Sequence, residues 1–173
     1  MPPRIVGWYF ISTEQQPGTD SFITTMSLSL EQHNIEILQN RELWEKKALL
    51  RKVYSEFYSE ITRRVNPACP GVTVELGSGM GNIKQHIPQC ITTDIFPNPW
   101  LDGVESAYHL SFDHGEVGHL ILFDVWHHLR YPGTALKEFA RQLTPEGRII
   151  LFEPAMGLIG PLSLVTFAMN HWA

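Results

Sequence analysis

The sequence predicts an α/β protein, a mostly parallel sheet covered by helices on both faces, and three observations carry that prediction. Short apolar runs at Val72 to Leu76, Cys90 to Ile95, His119 to Phe123 and Arg148 to Phe152 read as strands buried on both sides, with a weaker one near Glu105 to His109. Helical candidates lie between them. Asn82 to His86 is a short one ended by Pro88; Pro132 to Leu143 sets Ala135, Leu136, Phe139, Ala140 and Leu143 on one face, with Pro132 suited to a first turn. Ahead of this alternation, Leu43, Leu50, Tyr54, Phe57 and Ile61 recur at steps of 7, 4, 3 and 4, one face of an amphipathic helix that "NPACPG" at 66 to 71 ends. Strand and helix alternating at this spacing imply parallel strands joined by crossovers.

The 173 residues leave room for one domain with a proper core. Residues 1–30 read as a poorly ordered leader carrying Pro2, Pro3, Pro17 and Gly18, with Met26 an alternative start. An amphipathic helical region follows at 31–66, its polar face balanced by seven basic and six acidic residues, and then the main domain at 67–173. A formal charge of −5 argues against a nucleic-acid binder driven by bulk electrostatics. Cys69 and Cys90 make neither a disulfide framework nor a CxxC zinc pattern, so no metal is expected and both read as reduced thiols of a cytoplasmic protein. Arg4 to Ile11 runs into Glu14 and Gln15 without the form of a secretory signal. The apolar stretch Leu158 to Met169, broken by Gly160, Pro161 and Ser163, is shorter than the ~20 residues of a membrane span.

"VTVELGSGMGNIK" at 72 to 84 places Gly77, Gly79 and Gly81 at the expected hand-over from strand to helix, the edge at which open α/β sheets bind ligands. Residues without side chains accept positive φ and let a ligand approach the backbone; a glycine turn with no ligand is the plainer alternative. The dinucleotide pattern GxGxxG fails at Asn82, which disfavours a nicotinamide dehydrogenase. Asp94 ends the next apolar strand in "CITTDIF", nineteen residues after Glu75. An acid there accepts hydrogen bonds from ribose hydroxyls in nucleotide-binding sheets while its neighbour, here Ile95, lies against the base; the alternative is a turn residue ahead of Pro97, Asn98 and Pro99.

In order, "VELGSGMGNIK", "TTDIF", "LILFDVWHHL" and "GRIILFEP" resemble the successive motifs of class I S-adenosylmethionine-dependent methyltransferases, in the methyltransferase-domain group called type 11, over about residues 40 to 165. The resemblance implies a Rossmann-like sheet of order 3-2-1-4-5 and S-adenosyl-L-methionine as cofactor. It assigns Glu75 to orienting the cofactor loop near the methionine ammonium, Gly77, Ser78, Gly79 and Gly81 to the turn along sugar and methionine, and Asp94 and Ile95 to ribose and base. Ser106 and Ala107 fall where relatives place an Asp-Ala near the adenine amino group, within "SAYHLSF", where Leu110, Ser111 and Phe112 complete the register. Phe123 completes the implied cofactor set. The family fold has seven strands and the chain reaches Ala173 before the last two, so the fifth strand is expected to be an exposed edge prone to self-association.

Methyl transfer needs a base only if the acceptor carries a proton to remove. Asp124, His127 and His128, just after the fourth strand, are candidates, and a plain helix-entry role is the alternative for the histidines. Trp126 reads as packing, while Glu153 and Pro154 edge the expected acceptor pocket. The expected activity is methyl transfer to a small molecule such as a sugar or lipid intermediate. A cofactor-binding but inactive truncated form is the alternative.

Overall fold

A computed structural model describes the backbone of residues 19–153 and 163–168 and the side chains of residues 32–153. Six strands form one sheet: β1 Val72–Leu76, β2 Ile91–Asp94, β3 Gly103–Val104, β4 Val117–Phe123, β5 Leu143–Glu153 and β6 Ser163–Ala168. Their order is β3-β2-β1-β4-β5-β6, the first five parallel and β6 antiparallel to β5. The Rossmann-like order 3-2-1-4-5 is therefore present as expected. The fifth strand is not a bare edge, however: Arg148 to Glu153 pair with Ala168 to Ser163, so one more strand stands beside β5 than the sequence reading placed there. The edge at which self-association is expected from the sequence is occupied by β6.

Three further elements differ from expectation. The helix read from apolar periodicity is two helices, α1 Thr19–Lys46 and α2 Ala48–Thr62, separated at Lys47, whose backbone is extended (φ −109°, ψ 91°). The Arg51 guanidinium donates to the carbonyls of Trp44 and Glu45, satisfying acceptors that a helix end leaves open. Helix α1 also reaches back through residues read as leader. Its apolar residues are not gathered on one face, so periodicity could not find it; residues 1–18 lie outside the described residues. The third strand sits at Gly103–Val104, while the run Glu105 to His109 makes only an isolated antiparallel bridge from Ser106 to His109.

Crossovers on the β3 side of the sheet are sparse. Between β1 and β2 stands one short 3₁₀ turn, Asn82–Gln85, and the single crossover α-helix is α3, Pro132–Gln142, between β4 and β5. Covering one face therefore falls to α2, which packs Tyr58 and Ile61 with Ile83, Ile87 and Cys90 against Ile121, Ile150 and Phe152. An aromatic group seals this layer: Phe123 lies 5.5, 6.0, 5.2 and 5.1 Å, centroid to centroid, from Tyr54, Phe57, Tyr58 and Phe152. The other face carries α3, with Ala135 and Phe139 fully buried against Leu120, Leu122, Ile149 and Leu151. Ala140, read as part of that face, is exposed, and Gln142 is buried instead. β4 lies inside the sheet and is buried from Val117 to Leu122; its one polar ring, His119, accepts the Asn66 amide at Nε2 (3.0 Å).

Glu138 ties α3 to the segment before β4. It accepts the Leu110 amide (2.8 Å), the Arg141 guanidinium (2.7 Å) and the Gln142 side-chain amide (3.3 Å), and Arg141 first, then these amides, hold its carboxyl down at about 2. Glu138→Ala is expected to cost ~1–3 kcal/mol in denaturant unfolding at pH 7, the usual cost of an orphaned buried donor. Because the folded value lies below the ordinary 4.5, the charged contribution is complete above pH 4.5 and is lost as pH falls through about 2. The gap between parent and variant should thus be flat from pH 7 to 5 and narrow toward pH 2.

Candidate functional site at the carboxyl edge of the sheet

Register aligns the carboxyl ends of β1, β2, β4 and β5, with Leu76 opposite Thr93 and Leu122, and Phe123 opposite Phe152. The residues that follow these strands meet at one edge. Gly77, Gly79 and Gly81 all have positive φ (69°, 55° and 69°), so the turn after β1 is left-handed at every second residue. A Cβ on Gly77 would stand 2.5 Å from Val125 Cγ2, which shows how closely the loop after β4 crosses it.

The turn is fastened to β2. Ser78 donates its amide to Thr93 O (2.8 Å), its hydroxyl donates to Glu75 O (3.1 Å) and accepts the Thr93 amide (3.1 Å), and Thr93 Oγ1 donates to Glu75 O (2.9 Å). Asp94 continues the fastening: one carboxylate oxygen accepts Gly79 N (3.2 Å) and the other Ile95 N (2.7 Å). Burial pushes the Asp94 carboxyl up, against His33 and the amide donors, which draw it down. Glu75 is 1% exposed, and its Oε2 has no hydrogen-bond partner among the described residues. Burial pushes that carboxyl up to about 7; the Ser78 hydroxyl opposes and the Asp94 charge adds to the rise.

Beside this turn opens a cleft of about 630 Å³, its mouth included. Gly77, Asp94, Ile95, Ser106 and Ala107 line it, joined by Asp124 and His128 on the β4 side. Seven of the residues singled out in the sequence are thereby brought together. Glu75, Ser78, Gly79 and Gly81 build the turn without lining the cleft, and Phe123 packs in the aromatic layer under α2. His127 also lies off the lining, while Trp126 packs partly buried against the α3-side core, as read; Pro154 is outside the described residues.

Sequence reasoning missed Phe96, Tyr108 and His33. Phe96 and Tyr108 line the cleft and stand one or two residues beyond recognised positions, a signal that was available. His33 was not detectable: it comes from α1, is buried with its ring 4.7 Å from Phe96, and lies near enough to Asp94 for their charges to interact.

On the opposite wall Asp124 is the one non-glycine residue with positive φ (60°) among the described residues, and its amide donates to Phe152 O (2.8 Å). Glu153, at the end of β5, accepts Val125 N (3.0 Å) and Trp126 N (2.7 Å) at Oε1 and reaches His127 Nδ1 with Oε2 (2.6 Å). The His127 and His128 rings lie 3.9 Å apart. Burial, then the His127 charge, lowers the pKa of His128, whereas burial raises that of Asp124.

The edge combines a left-handed glycine cradle, a buried carboxylate oxygen with no hydrogen-bond partner among the described residues, and an acid at the tip of β2, features that suit a nucleoside-bearing ligand with a positive end. Residues 74–151 match a family model described as a methyltransferase domain. No curated protein sequence matches the chain significantly. Among solved structures, a candidate S-adenosyl-L-methionine-dependent methyltransferase from Methanococcus maripaludis is 13% identical, with a TM-score of 0.53 over 68% of this chain and 62% of that one. The complex of the Haloferax volcanii Trm112 methyltransferase activator with a candidate methyltransferase matches at 21% identity and TM-score 0.49, over 66% and 60%. Geranyl diphosphate C-methyltransferase from Streptomyces coelicolor A3(2) matches at 16% and 0.49, over 61% and 48%. The chain thus spans less than two thirds of each of these proteins. Residues 74–151 thus match a methyltransferase domain, and they lie in a sheet of Rossmann-like order with the glycine turn after its first strand.

Proposed function

We propose that the chain binds S-adenosyl-L-methionine in the cleft and transfers its methyl group to a small-molecule acceptor. The observation that carries this reading is the convergence of Gly77, Asp94, Ile95, Ser106 and Ala107 on one side of a single cleft and of Asp124 and His128 on the other. S-adenosylmethionine supplies an electrophilic methyl group on a sulfonium. The glycine turn gives backbone access to its sugar and methionine portion, Asp94 accepts from the ribose hydroxyls, and Ile95 and Phe96 cover the base. Ser106 stands where a charged partner of the adenine amino group is common, so that contact is a neutral hydrogen bond. Glu75 faces the methionine ammonium as a buried field rather than by direct contact.

The acceptor enters from the β4 side. His128 lines the cleft, and its lowered pKa keeps the ring neutral near pH 7, the form that accepts a proton. His127, held by Glu153 off the lining, is the weaker candidate for that role. Neutral His128 lets an acceptor hydroxyl or amine lose its proton as the new bond to carbon forms.

S-adenosylhomocysteine should bind in calorimetric titration. Asp94→Ala is expected to weaken it about 10–100-fold, since hydrogen bonds to a charged group contribute about 1.5–3 kcal/mol, with Asp94→Asn between parent and Ala because it keeps one oxygen acceptor. Equal affinity in all three proteins would remove the ribose role, and no binding by any at millimolar ligand would remove the cofactor assignment.

Glu75 gives a second readout. With a folded value of about 7 against an ordinary 4.5, the folded state holds an extra proton between them, so the ligand-free chain should lose stability as pH rises from 4.5 through 7. Glu75→Gln should flatten that slope. An ammonium-bearing ligand favours the carboxylate, so binding at pH 6.5 is expected to release protons, seen as heats that vary with buffer ionisation enthalpy. Buffer-independent heats in the parent would show that Glu75 does not sense the ligand.

A further inference from the structure

Beside the Asp124 wall of the cleft, a carboxylate oxygen of Asp124, a ring nitrogen of His127 and a carboxylate oxygen of Glu153 lie within 4.8 Å of one another. We propose that these three side chains form a binding site for a divalent transition-metal ion, with one nitrogen and two oxygen ligands. The nearest separations are 2.6 Å from His127 Nδ1 to Glu153 Oε2 and 3.8 Å to Asp124 Oδ1. Ligands ~2.0–2.2 Å from a metal stand roughly 3–3.5 Å from one another, between these two values, so small side-chain rotations admit the ion.

Backbone geometry sets this arrangement. Asp124 takes a left-handed conformation (φ 60°) at the end of β4, a conformation that Asp tolerates better than most residues and that turns the chain sharply there. Glu153 is anchored through Oε1 by the Val125 and Trp126 amides, which leaves Oε2 for a further partner. Those same amides begin the short turn Trp126–His128 that presents His127. Among the described residues, neither carboxylate has a Lys or Arg ion-pair partner; their neighbours are the His127 and His128 rings and, for Glu153, two backbone amides.

Ligand type selects the class of ion. One imidazole with two carboxylates suits Zn²⁺, Co²⁺ or Mn²⁺ better than Ca²⁺ or Mg²⁺, which favour all-oxygen sets. Three protein ligands leave coordination positions open. Asp124 also lines the cleft, so the open positions would meet an acceptor that offers oxygen donors. The site stands or falls apart from methyl transfer, because its ligands hold the ion without cofactor or acceptor.

The test uses the whole chain, stripped with a chelator and titrated with Co²⁺ and Zn²⁺, following the visible Co²⁺ spectrum and the heat of Zn²⁺ binding. One equivalent is expected to bind in the micromolar range. Two conservative variants keep the fold in view: Asp124→Asn, because Asn accepts left-handed backbone, and Glu153→Gln, because its carbonyl still accepts both amides. Each should weaken binding by about tenfold or more at unchanged melting temperature, the least that even an outer-shell change does at such sites. Failure to bind at millimolar ion, or binding untouched by both variants, would overturn the proposal; the second result would place the ion on others of the chain's eight histidines.

Discussion

The cleft depends on the fastening of the glycine turn to the end of β2. Ser78, Thr93 and Asp94 exchange hydrogen bonds with Glu75, Gly79 and Ile95 across two parallel strands, so the turn cannot shift without breaking several bonds at once. Glycine permits the left-handed path, but these bonds select it from the many that glycine allows. Asp94 contributes twice, as a structural acceptor for the turn and as a carboxylate facing the cleft. Its buried charge is tolerated because amide donors and His33 surround it.

The opposite wall is set by a different device. β4 and β5 run in register to Phe123 and Phe152, and then one chain turns left-handed at Asp124 while the other ends at Glu153. Glu153 holds the first amides of the turn that carries the histidines, so the end of β5 decides where the loop after β4 points. Two rigid strands and one carboxylate thus bring together side chains from positions 124 to 128 and 153. The same closeness between the loops disfavours any side chain at Gly77, whose φ is left-handed and whose Cβ would press on Val125.

Much of this was legible in the sequence where burial is complete. β1, β4 and the core of β5 are rich in β-branched and other apolar residues because both their faces are covered, and the few polar residues among them, Thr73, Glu75 and His119, are buried too. β3, two residues at an edge, leaves no such trace. The break at Lys47 was hidden because Leu43 and Leu50 keep helical spacing across it, although Leu43 is exposed. β6 contains Leu164, Val165 and Phe167, good strand residues, but Gly160 and Pro161 ahead of it made the stretch look merely interrupted. At the site, glycines and Asp94 were readable because backbone conformation and strand ends constrain residue type. His33 meets Asp94 through the packing of a distant helix, and Glu153 meets His127 through strand pairing, neither of which has a local signature.

The sparse crossovers give the sheet an uneven resistance to opening. β4 is flanked on both sides and roofed by α2 and α3, whereas β3 makes only two paired positions with β2 and has no helix in its connections. Amide hydrogens should therefore exchange slowest along β4 and β5 and fastest around Gly103 and Val104, a gradient that runs across the cleft from the Asp124 wall to the Asp94 wall. The adenosine side of the site would then be the soft side. A nucleoside seated there would quench local opening and carry part of its affinity as an entropic cost, while an acceptor would meet a wall already rigid.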